Sequence, residues 1–445
     1  MKANDNINKQ FYNYLWAYIL VALSGCLGNV VDGIIVGNLV GEDGVSAINL
    51  SKPINQFIFT LHLLINAGAG MLVAYALGKG DLAEARRFFT RALVLSLGLG
   101  LVLAVVGGFL FPNATARMLC SNEQILPLAR DYMQVLLLGN PAFILMWGLS
   151  TMVGVDGKPK LVSLAVIVDN VVNLLLDIVF IQWMGWGITG SSAATVVGHL
   201  VGIAILLTHW RQPENRRLVP VFSFNAILDS WRRIVSQGAP LAIASISLTL
   251  LLLSANTIVL SILGRTGIFA FAVCMNLLQV YNLFLSGTCQ TLQSLGAIQV
   301  GKGDADGLRM VLRKAFRFIT VAMIVTCVLV WVWPEGIVRL FGASEAAFVS
   351  EGCLALRIFA LSFIPFCYIY VLMIVYKLYA QHRMALFISF ALSLTVIPVL
   401  WLMARWAPSY LWYSYLVAYL VEVIAIFLLH HATHAKFELK VSKLQ

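Results

Sequence analysis

The chain has 445 residues and very little charge, since only 11% of them are Asp, Glu, Lys or Arg. A soluble globular protein carries about 25%, and half that fraction cannot cover a water-facing surface. No polar stretch exceeds about thirty residues, which leaves no room for a soluble domain. Hydrophobic residues make up 60% and fall in runs near the ~20 residues that cross a bilayer. The composition excludes a soluble enzyme and predicts an all-α integral membrane protein.

Several chemical motifs are also missing from the sequence. There is no GxxxxGK[ST] loop to bind ATP, so any driving force must come from an ion gradient. The seven cysteines form no CxxC or Cys/His cluster, and those within spans are typical of packing residues. No nucleophile–base pair supports an enzyme. We therefore expect a protein that is not an enzyme and has no cofactor beyond a coupling ion, H⁺ or Na⁺.

The long apolar runs predict twelve transmembrane helices. Their soft boundaries are 13–40, 47–77, 90–112, 128–153, 161–184, 188–209, 238–263, 268–300, 316–334, 352–377, 384–404 and 410–431. With the N-terminus in the cytoplasm, 23 of the 30 Lys and Arg residues fall on the cytoplasmic side and six on the outer side. This distribution follows the positive-inside rule. It predicts a multi-pass protein of a prokaryotic plasma membrane with both termini cytoplasmic. The excess of basic residues is therefore explained by membrane orientation and contact with anionic lipid, and does not indicate nucleic-acid binding.

An internal repeat organises the sequence. The segment GKGD occurs at 78–81 and again at 301–304, an offset of 223 residues, and an ungapped alignment of 41–91 with 264–314 gives eleven identities. Each half then has six spans, so the halves are parallel repeats, which in transporters flank a central cleft. We predict two six-helix bundles, 1–209 and 238–445, joined by a cytoplasmic linker, 210–237. A duplicated scaffold could also belong to a channel or receptor, but it favours a secondary transporter. Because both halves of the cleft are in one chain, no partner is needed to form it, and we expect a monomer.

Acidic side chains inside the predicted spans are candidate functional groups, because a charge within a bilayer is costly. Asp32 in span 1 and Asp177 in span 5 lie at similar depth. Asp169, Asn173 and Asp177 have i, i+4, i+8 spacing and share a helix face. Burial and a second carboxylate favour the protonated form of a carboxyl, whereas Na⁺ favours the charged form. The pattern predicts a cation or proton site, unless Asp32 simply pairs with Lys52.

Other polar residues are weaker candidates for a substrate cleft. Span 8 is polar without charge, which is consistent with a cavity wall, and two tyrosines on one face of span 10 could hold a lipophilic cation through cation–π contacts. A tyrosine stripe is more often interhelical packing. The predicted cleft residues are Gln56, which aligns with Gln279 in the repeat, Gln279 itself, Asn282, Tyr368 and Tyr376. The isolated His62, His199 and Glu422 are more typical of helix–helix contacts than of ligand sites.

Several motifs together resemble the multidrug and toxic compound extrusion (MATE) family of transporters. They are NVVDGIIVG at 29–37, ALGKGDLAEARR at 76–87, GVDGKPK at 154–160, NLLLD at 173–177 and GSSAAT at 190–195. The resemblance covers the whole chain and is stronger in the N-terminal half. It implies two six-helix bundles around a central cleft and cation antiport by alternating access.

The resemblance also implies site residues. Many members use an acidic residue on helix 1, an Asn and an Asp one turn apart on helix 5, and a Thr on helix 6, which match Asp32, Asn173, Asp177 and Thr195. One branch adds an acidic residue on helix 7, where this sequence has Leu248. The chain is therefore similar to the prokaryotic branch that couples through the N-terminal bundle.

Several functions remain open at this stage. The first is export of lipophilic or cationic small molecules, drugs among them, by H⁺ or Na⁺ antiport, with membrane lipid as the surroundings. The second is a flippase for lipid-linked oligosaccharides from the related superfamily, although such proteins often have fourteen spans and basic cavity groups. A narrow-specificity metabolite exporter is a further alternative. The major facilitator class fits less well, because the second Gly of its loop 2–3 motif is missing.

Overall fold

The computed structural model describes residues 2–118, 125–211, 217–222, 227–341 and 345–432, and in these ranges every regular element is a helix. Ten of these helical stretches are long and apolar enough to cross a membrane, and a pair bent by 50° adds an eleventh. The stretch Ile227–Lys302 has 76 residues, about 110 Å of helix, which is far longer than a ~30 Å hydrocarbon core. It breaks at Gly264 and contains predicted spans 7 and 8. The prediction of an all-α membrane protein with twelve spans is confirmed.

The chain divides into two compact units, and the first extends from Asn4 to Gly238. A bend at Gly139 separates α6 from α7, the two parts of predicted span 4. The helices of this part of the chain are α1 (Lys2–Leu39), α2 (Glu42–His62), α3 (Gly68–Lys79), α4 (Leu82–Leu103), α5 (Pro112–Arg117), α6 (Leu126–Leu138), α7 (Asn140–Val155), α8 (Pro159–Ile178) and α9 (Ile188–Leu207). Short π-helical segments follow α2, α4 and α8, at Leu63–Ala67, Ala104–Leu110 and Val179–Trp183, and the 3₁₀ turn Thr208–Arg211 follows α9.

The second unit begins at Ala239, within a helix that starts before it. Its helices are α10 (Ile227–Thr291), α11 (Ala297–Lys302), α12 (Ala305–Val332), α13 (Pro334–Leu340), α14 (Ala346–Leu378), α15 (His382–Leu394), α16 (Val396–Trp406) and α17 (Ser414–Ala432). A π-helical segment, Leu292–Gly296, separates α10 from α11, and a 3₁₀ segment, Pro408–Tyr413, precedes α17.

The GKGD segments have the same local structure in both units. Gly80 and Gly303 each end a helix in the left-handed conformation, with φ of 80° and 70°, which glycine adopts without steric penalty. Asp81 and Asp304 then cap the next helix, each accepting a backbone N–H from three residues further on, at 2.9 and 2.8 Å. A helix stop and a helix start are therefore encoded in four residues, which explains why this block is repeated intact.

The repeat extends to the pattern of buried residues. Tyr18 and Val36 are buried in α1, and their counterparts 223 residues later, Leu241 and Val259, are buried in α10. Gly157 has a φ of 100°, and its counterpart Ala380 has a φ of 56° although it is not glycine. The same offset therefore relates helices of the two units well outside the GKGD segments.

Candidate functional site

Helices α8 and α9 pack closely because α9 has glycines on the face that meets α8. A Cβ on Gly198 would lie 2.6 Å from Asp169 Oδ1 and 2.8 Å from the Asp169 carbonyl oxygen. Gly202 is similarly crowded by Met146, and its Cβ would lie 3.3 Å from Asp169 Cβ. The glycines therefore bring the polar face of α8, which carries Asp169, Asn173 and Asp177, directly against α9.

Helix α1 is held against α8 by two hydrogen bonds that involve no charge. The Ser163 hydroxyl donates to the Ala17 carbonyl at 2.9 Å, and the Asn170 amide donates to the Ser24 hydroxyl at 2.9 Å. At Gly28 a Cβ would lie 2.9 Å from Asn170 Oδ1. The half of α1 that contains these contacts is thus fixed to α8 whatever the protonation state of nearby carboxyls.

Two carboxyl groups meet where α1 continues past these contacts. Asp177 is fully buried, and neither of its carboxyl oxygens accepts a well-formed hydrogen bond from the described residues, although the Ser191 hydroxyl lies close to it. The half-buried Asp32 is close enough to Asp177 for a side-chain hydrogen bond, and its Oδ1 lies 3.4 Å from the Ser191 hydroxyl. Because two ionised carboxylates only accept hydrogen bonds, a bound proton on one of them would supply the donor that this contact requires.

A polar chain on α8 and α9 continues from this pair. The Asn173 amide donates to the Thr195 hydroxyl at 3.1 Å, and the Thr195 hydroxyl donates to the Ser191 carbonyl at 3.1 Å. The structure thus brings together Asp32, Asp177, Asn173 and Thr195, the four residues matched by the resemblance. Ser191 connects them and was not predicted, although it lies one helical turn before Thr195.

The alternative partner of Asp32, a lysine, is not used. Lys52 is exposed, and no ion pair joins it to Asp32 in the described parts of the chain.

Asp169 does not join this group. Both of its carboxyl oxygens contact His199 Nδ1, at 2.9 and 3.1 Å, so the side chain faces α9 away from Asp177. The His199 ring also packs edge-on against Phe143, with centroids 5.2 Å apart. Sequence reasoning treated His199 as a helix–helix contact, and it did not find the pair because the two residues are 30 positions apart.

The second unit has no counterpart of the carboxyl pair. At the offset of 223 residues, Asp32, Asp169 and Asp177 correspond to Ala255, Leu392 and Leu400, all buried and apolar. Among the described residues, no group of three or more His, Cys, Asp or Glu side chains could hold a metal ion. The duplicated scaffold therefore carries the acidic site in its N-terminal copy alone, as far as the described residues extend.

The predicted cleft tyrosines make contacts within the second unit. The Tyr368 hydroxyl contacts the Thr320 hydroxyl of α12, and its ring stacks on Phe316 at 6.0 Å. The Tyr376 hydroxyl lies 3.0 Å from His430 Nδ1 of α17. These contacts point to different helices and fit interhelical packing, so the structure does not gather the two tyrosines into one site.

The predicted amide residues of the cleft lie on two helices. Gln279 is exposed and Asn282 partly buried on α10, and Gln56 is partly buried on α2. Their role in a cleft stays a prediction.

Comparison with known proteins identifies the class. The chain is similar to the multidrug export protein MepA of Staphylococcus haemolyticus, with 22% identity over 73% of this chain and 72% of that protein. It is similar to an FAD transporter of Shewanella oneidensis, with 23% identity over 68% and 67%. A solved structure of a mutant of the Vibrio cholerae MATE transporter VcmN superposes with a TM-score of 0.87 and 20% identity over 99% of this chain and 100% of that chain.

These likenesses, with the twelve spans, define a multi-pass membrane transporter and not an enzyme. The family is given by a model described as MatE, which matches residues 18–179 and 240–402, well over half of the sequence. The chain belongs to the MatE family.

Proposed function

We propose that this transporter exports organic cations, drugs among them, in exchange for protons that bind at the Asp32–Asp177 pair. The observation that carries the proposal is the contact between two carboxyls on different helices, with both Asp177 oxygens buried. Membership of the MatE family and the relative named a multidrug export protein support the cargo.

The carboxyl pair gives the bound proton a mechanical effect. With one proton the two groups can share a hydrogen bond, whereas two charged carboxylates repel by about 4 kcal/mol at ~4 Å and an effective dielectric constant of ~20. The contacts of α1 at Ala17 and Ser24 contain no titrating group. Binding or loss of the proton therefore shifts only the part of α1 around Asp32. A ligand drives a conformational change only if its affinity differs between the two conformations. The proton has this difference, because it binds more tightly in the conformation in which the two carboxyls are in contact.

Protons fit this pair better than Na⁺. Two carboxyl groups in contact leave little space for an ion between them. Carboxyl pairs as close as this keep one proton, which the two groups share. Na⁺ coupling is the alternative outcome. Export that survives collapse of the Na⁺ gradient but stops when the H⁺ gradient is collapsed would support the proposal.

The test is energised efflux of ethidium from cells that express the wild type, Asp32→Asn or Asp43→Asn. Asp43 is exposed near the start of α2 and provides a matched change of charge close to Asp32 in sequence. We expect efflux by the wild type and by Asp43→Asn, and none by Asp32→Asn at equal expression. Normal efflux by Asp32→Asn would refute the proposed role of the pair.

A narrow-specificity metabolite exporter is the second candidate, because one relative of equal similarity is named an FAD transporter. Loss of cellular FAD to the medium, dependent on Asp32 and without ethidium efflux, would favour it. We also propose that the protein is a monomer and lies in a prokaryotic plasma membrane with both termini cytoplasmic. The distribution of Lys and Arg supports this orientation. Reporter fusions at each terminus and light scattering of the purified protein test these two points.

A further inference from the structure

The Asp169–His199 pair is a second buried titratable group in the N-terminal unit, separate from the carboxyl pair. The side chains of His199 and Asp169 are only 13% and 9% exposed. Asp169 lies eight residues before Asp177 on α8, about 12 Å along the helix, with Asn173 between them. The pair therefore shares the polar face of α8 with the proposed coupling site without contacting it.

The geometry determines which ring nitrogen is available. Both Asp169 oxygens contact Nδ1, and a carboxylate can only accept, so Nδ1 carries a hydrogen. In the neutral ring Nε2 then has a lone pair. Nε2 is buried and has no hydrogen-bond partner among the described residues. A buried nitrogen left without a partner is unfavourable for a purely structural histidine.

Few other titratable groups face this pair. Helix α7, which contributes Phe143, has none in Asn140–Val155, and α9 has none besides His199. The neighbouring elements otherwise carry, among their described side chains, Lys160 and Asp177 on α8, Tyr132 and the Arg130–Asp131 ion pair on α6, and Lys9, Tyr12, Tyr14, Tyr18, Cys26 and Asp32 on α1. Of these, only Asp32 and Asp177 are carboxyls without a cationic partner among the described residues.

We propose that His199 Nε2 is a second proton-binding site of this transporter, held in place by Asp169. One proton adds to the Nε2 lone pair, and the resulting imidazolium remains paired with the Asp169 carboxylate, so the pair passes from one negative charge to neutral. Loss of that proton restores the first state. Because the ligand of this lone pair is a proton, the site favours H⁺ as the coupling ion. This inference rests on the proposed antiport for its role in transport, but not for proton binding itself.

Proton binding is tested without any cargo. Full-length protein labelled with ¹⁵N-histidine is reconstituted in lipid nanodiscs, and the His199 ring resonance is identified by its loss in His199→Gln. We follow the ring between about pH 9 and pH 5 and expect it to pass from the Nδ1-protonated neutral form to the imidazolium, with Asp169→Asn changing the pH at which it does so. A ring that stays in one form throughout that range overturns the proposal.

The role in transport is tested in liposomes that contain a pH-sensitive dye, with tetraphenylphosphonium as the probe cation. The side chain introduced by His199→Gln keeps an N–H that can donate to Asp169 but binds no proton. If His199 had only a structural role, this variant would therefore transport like the wild type. We expect His199→Gln to lower probe-driven proton exchange about tenfold and to change its pH profile, while probe binding stays within about twofold. His62→Gln is the matched control, because His62 is also a histidine inside a span of the N-terminal unit but contacts the amide of Asn66 at 3.2 Å.

The outcomes separate the two proposals. Wild-type exchange by His199→Gln overturns the role of His199 in transport and leaves the carboxyl pair untouched. Wild-type exchange by Asp32→Asn refutes the carboxyl pair as the coupling site, whatever His199 does. If the wild type does not transport the probe at all, the proposed cargo is wrong, and the ring titration alone decides whether His199 binds a proton.

Discussion

Replacing Gly198 by alanine tests the close packing on which the whole site depends. The added Cβ would lie 2.6 Å from Asp169 Oδ1, 2.8 Å from the Asp169 carbonyl oxygen and 3.2 Å from Asn173 Cβ. The carboxyl group can rotate away, but only by weakening its contact with His199. The carbonyl oxygen belongs to the α8 backbone and can move only if the helix moves.

The magnitude follows from these contacts. Overpacking of a tightly packed interface destabilises by about 1–3 kcal/mol, and alanine offsets up to about 1 kcal/mol of this through its higher helix propensity. We therefore expect Gly198→Ala to lower the free energy of unfolding by about 1–2 kcal/mol. Gly98→Ala in α4 is the control, because nothing lies within 4 Å of its Cβ position. The control should be neutral or gain up to about 1 kcal/mol.

The assay is thermal unfolding of both variants in the same detergent. For a domain of about 150–250 residues, 1 kcal/mol corresponds to about 2–4 °C in Tm, so the expected difference of about 1–3 kcal/mol between the two variants corresponds to about 2–12 °C. The Gly198→Ala variant should also show a changed His199 ring resonance, as Asp169→Asn does, because Asp169 is displaced. A variant as stable as Gly98→Ala would refute the close approach of α8 and α9 at this position.

Two further predictions concern other parts of the fold. Ala380 has a φ of 56°, a conformation that penalises alanine by about 1–2 kcal/mol, so Ala380→Gly should raise Tm or leave it unchanged, and a clear fall would contradict the reasoning. Asp156 is buried and pairs with His209 at 2.9 Å and Arg217 at 2.8 Å, so Asp156→Asn should destabilise by about 3 kcal/mol in the same assay. The control Asp131→Asn removes an exposed pair and should change the stability by less than about 1 kcal/mol, so equal effects of the two substitutions would refute the importance of burial.

Much of the fold could be predicted because membrane spans are encoded locally. A run of about twenty apolar residues must form a helix in lipid, where every backbone polar group needs a partner within the same segment. Among the described residues, the main departures are a bend at Gly139 within span 4 and a helix that begins at Ile227, within the predicted linker, and continues across spans 7 and 8 with a break at Gly264. The GKGD turns were equally predictable, since glycine and aspartate have strong local preferences at helix ends.

Half of the acidic site could also be read from the sequence. The four-residue spacing of Asp169, Asn173 and Asp177 places them on one face of α8 by helical geometry alone, and the matched depth of Asp32 in span 1 made it a candidate partner. Helical spacing alone could not separate Asp169 from Asp177, because both lie on that face and differ only in the side chains opposite them; the depth shared with Asp32 and the family resemblance selected Asp177.

By itself, the sequence determined the helices, the duplication and the faces that carry acidic residues, because these follow from hydrophobicity and from the period of a helix. Only the tertiary structure decided the partners. It places Ser191 beside Asp32, 159 positions away, joins His199 to Asp169, and turns Tyr368 and Tyr376 toward different helices. The physical reason is that helical periodicity fixes which side chains share a face, whereas the neighbouring helix, and small residues such as Gly198 that let it approach, fix what each side chain meets.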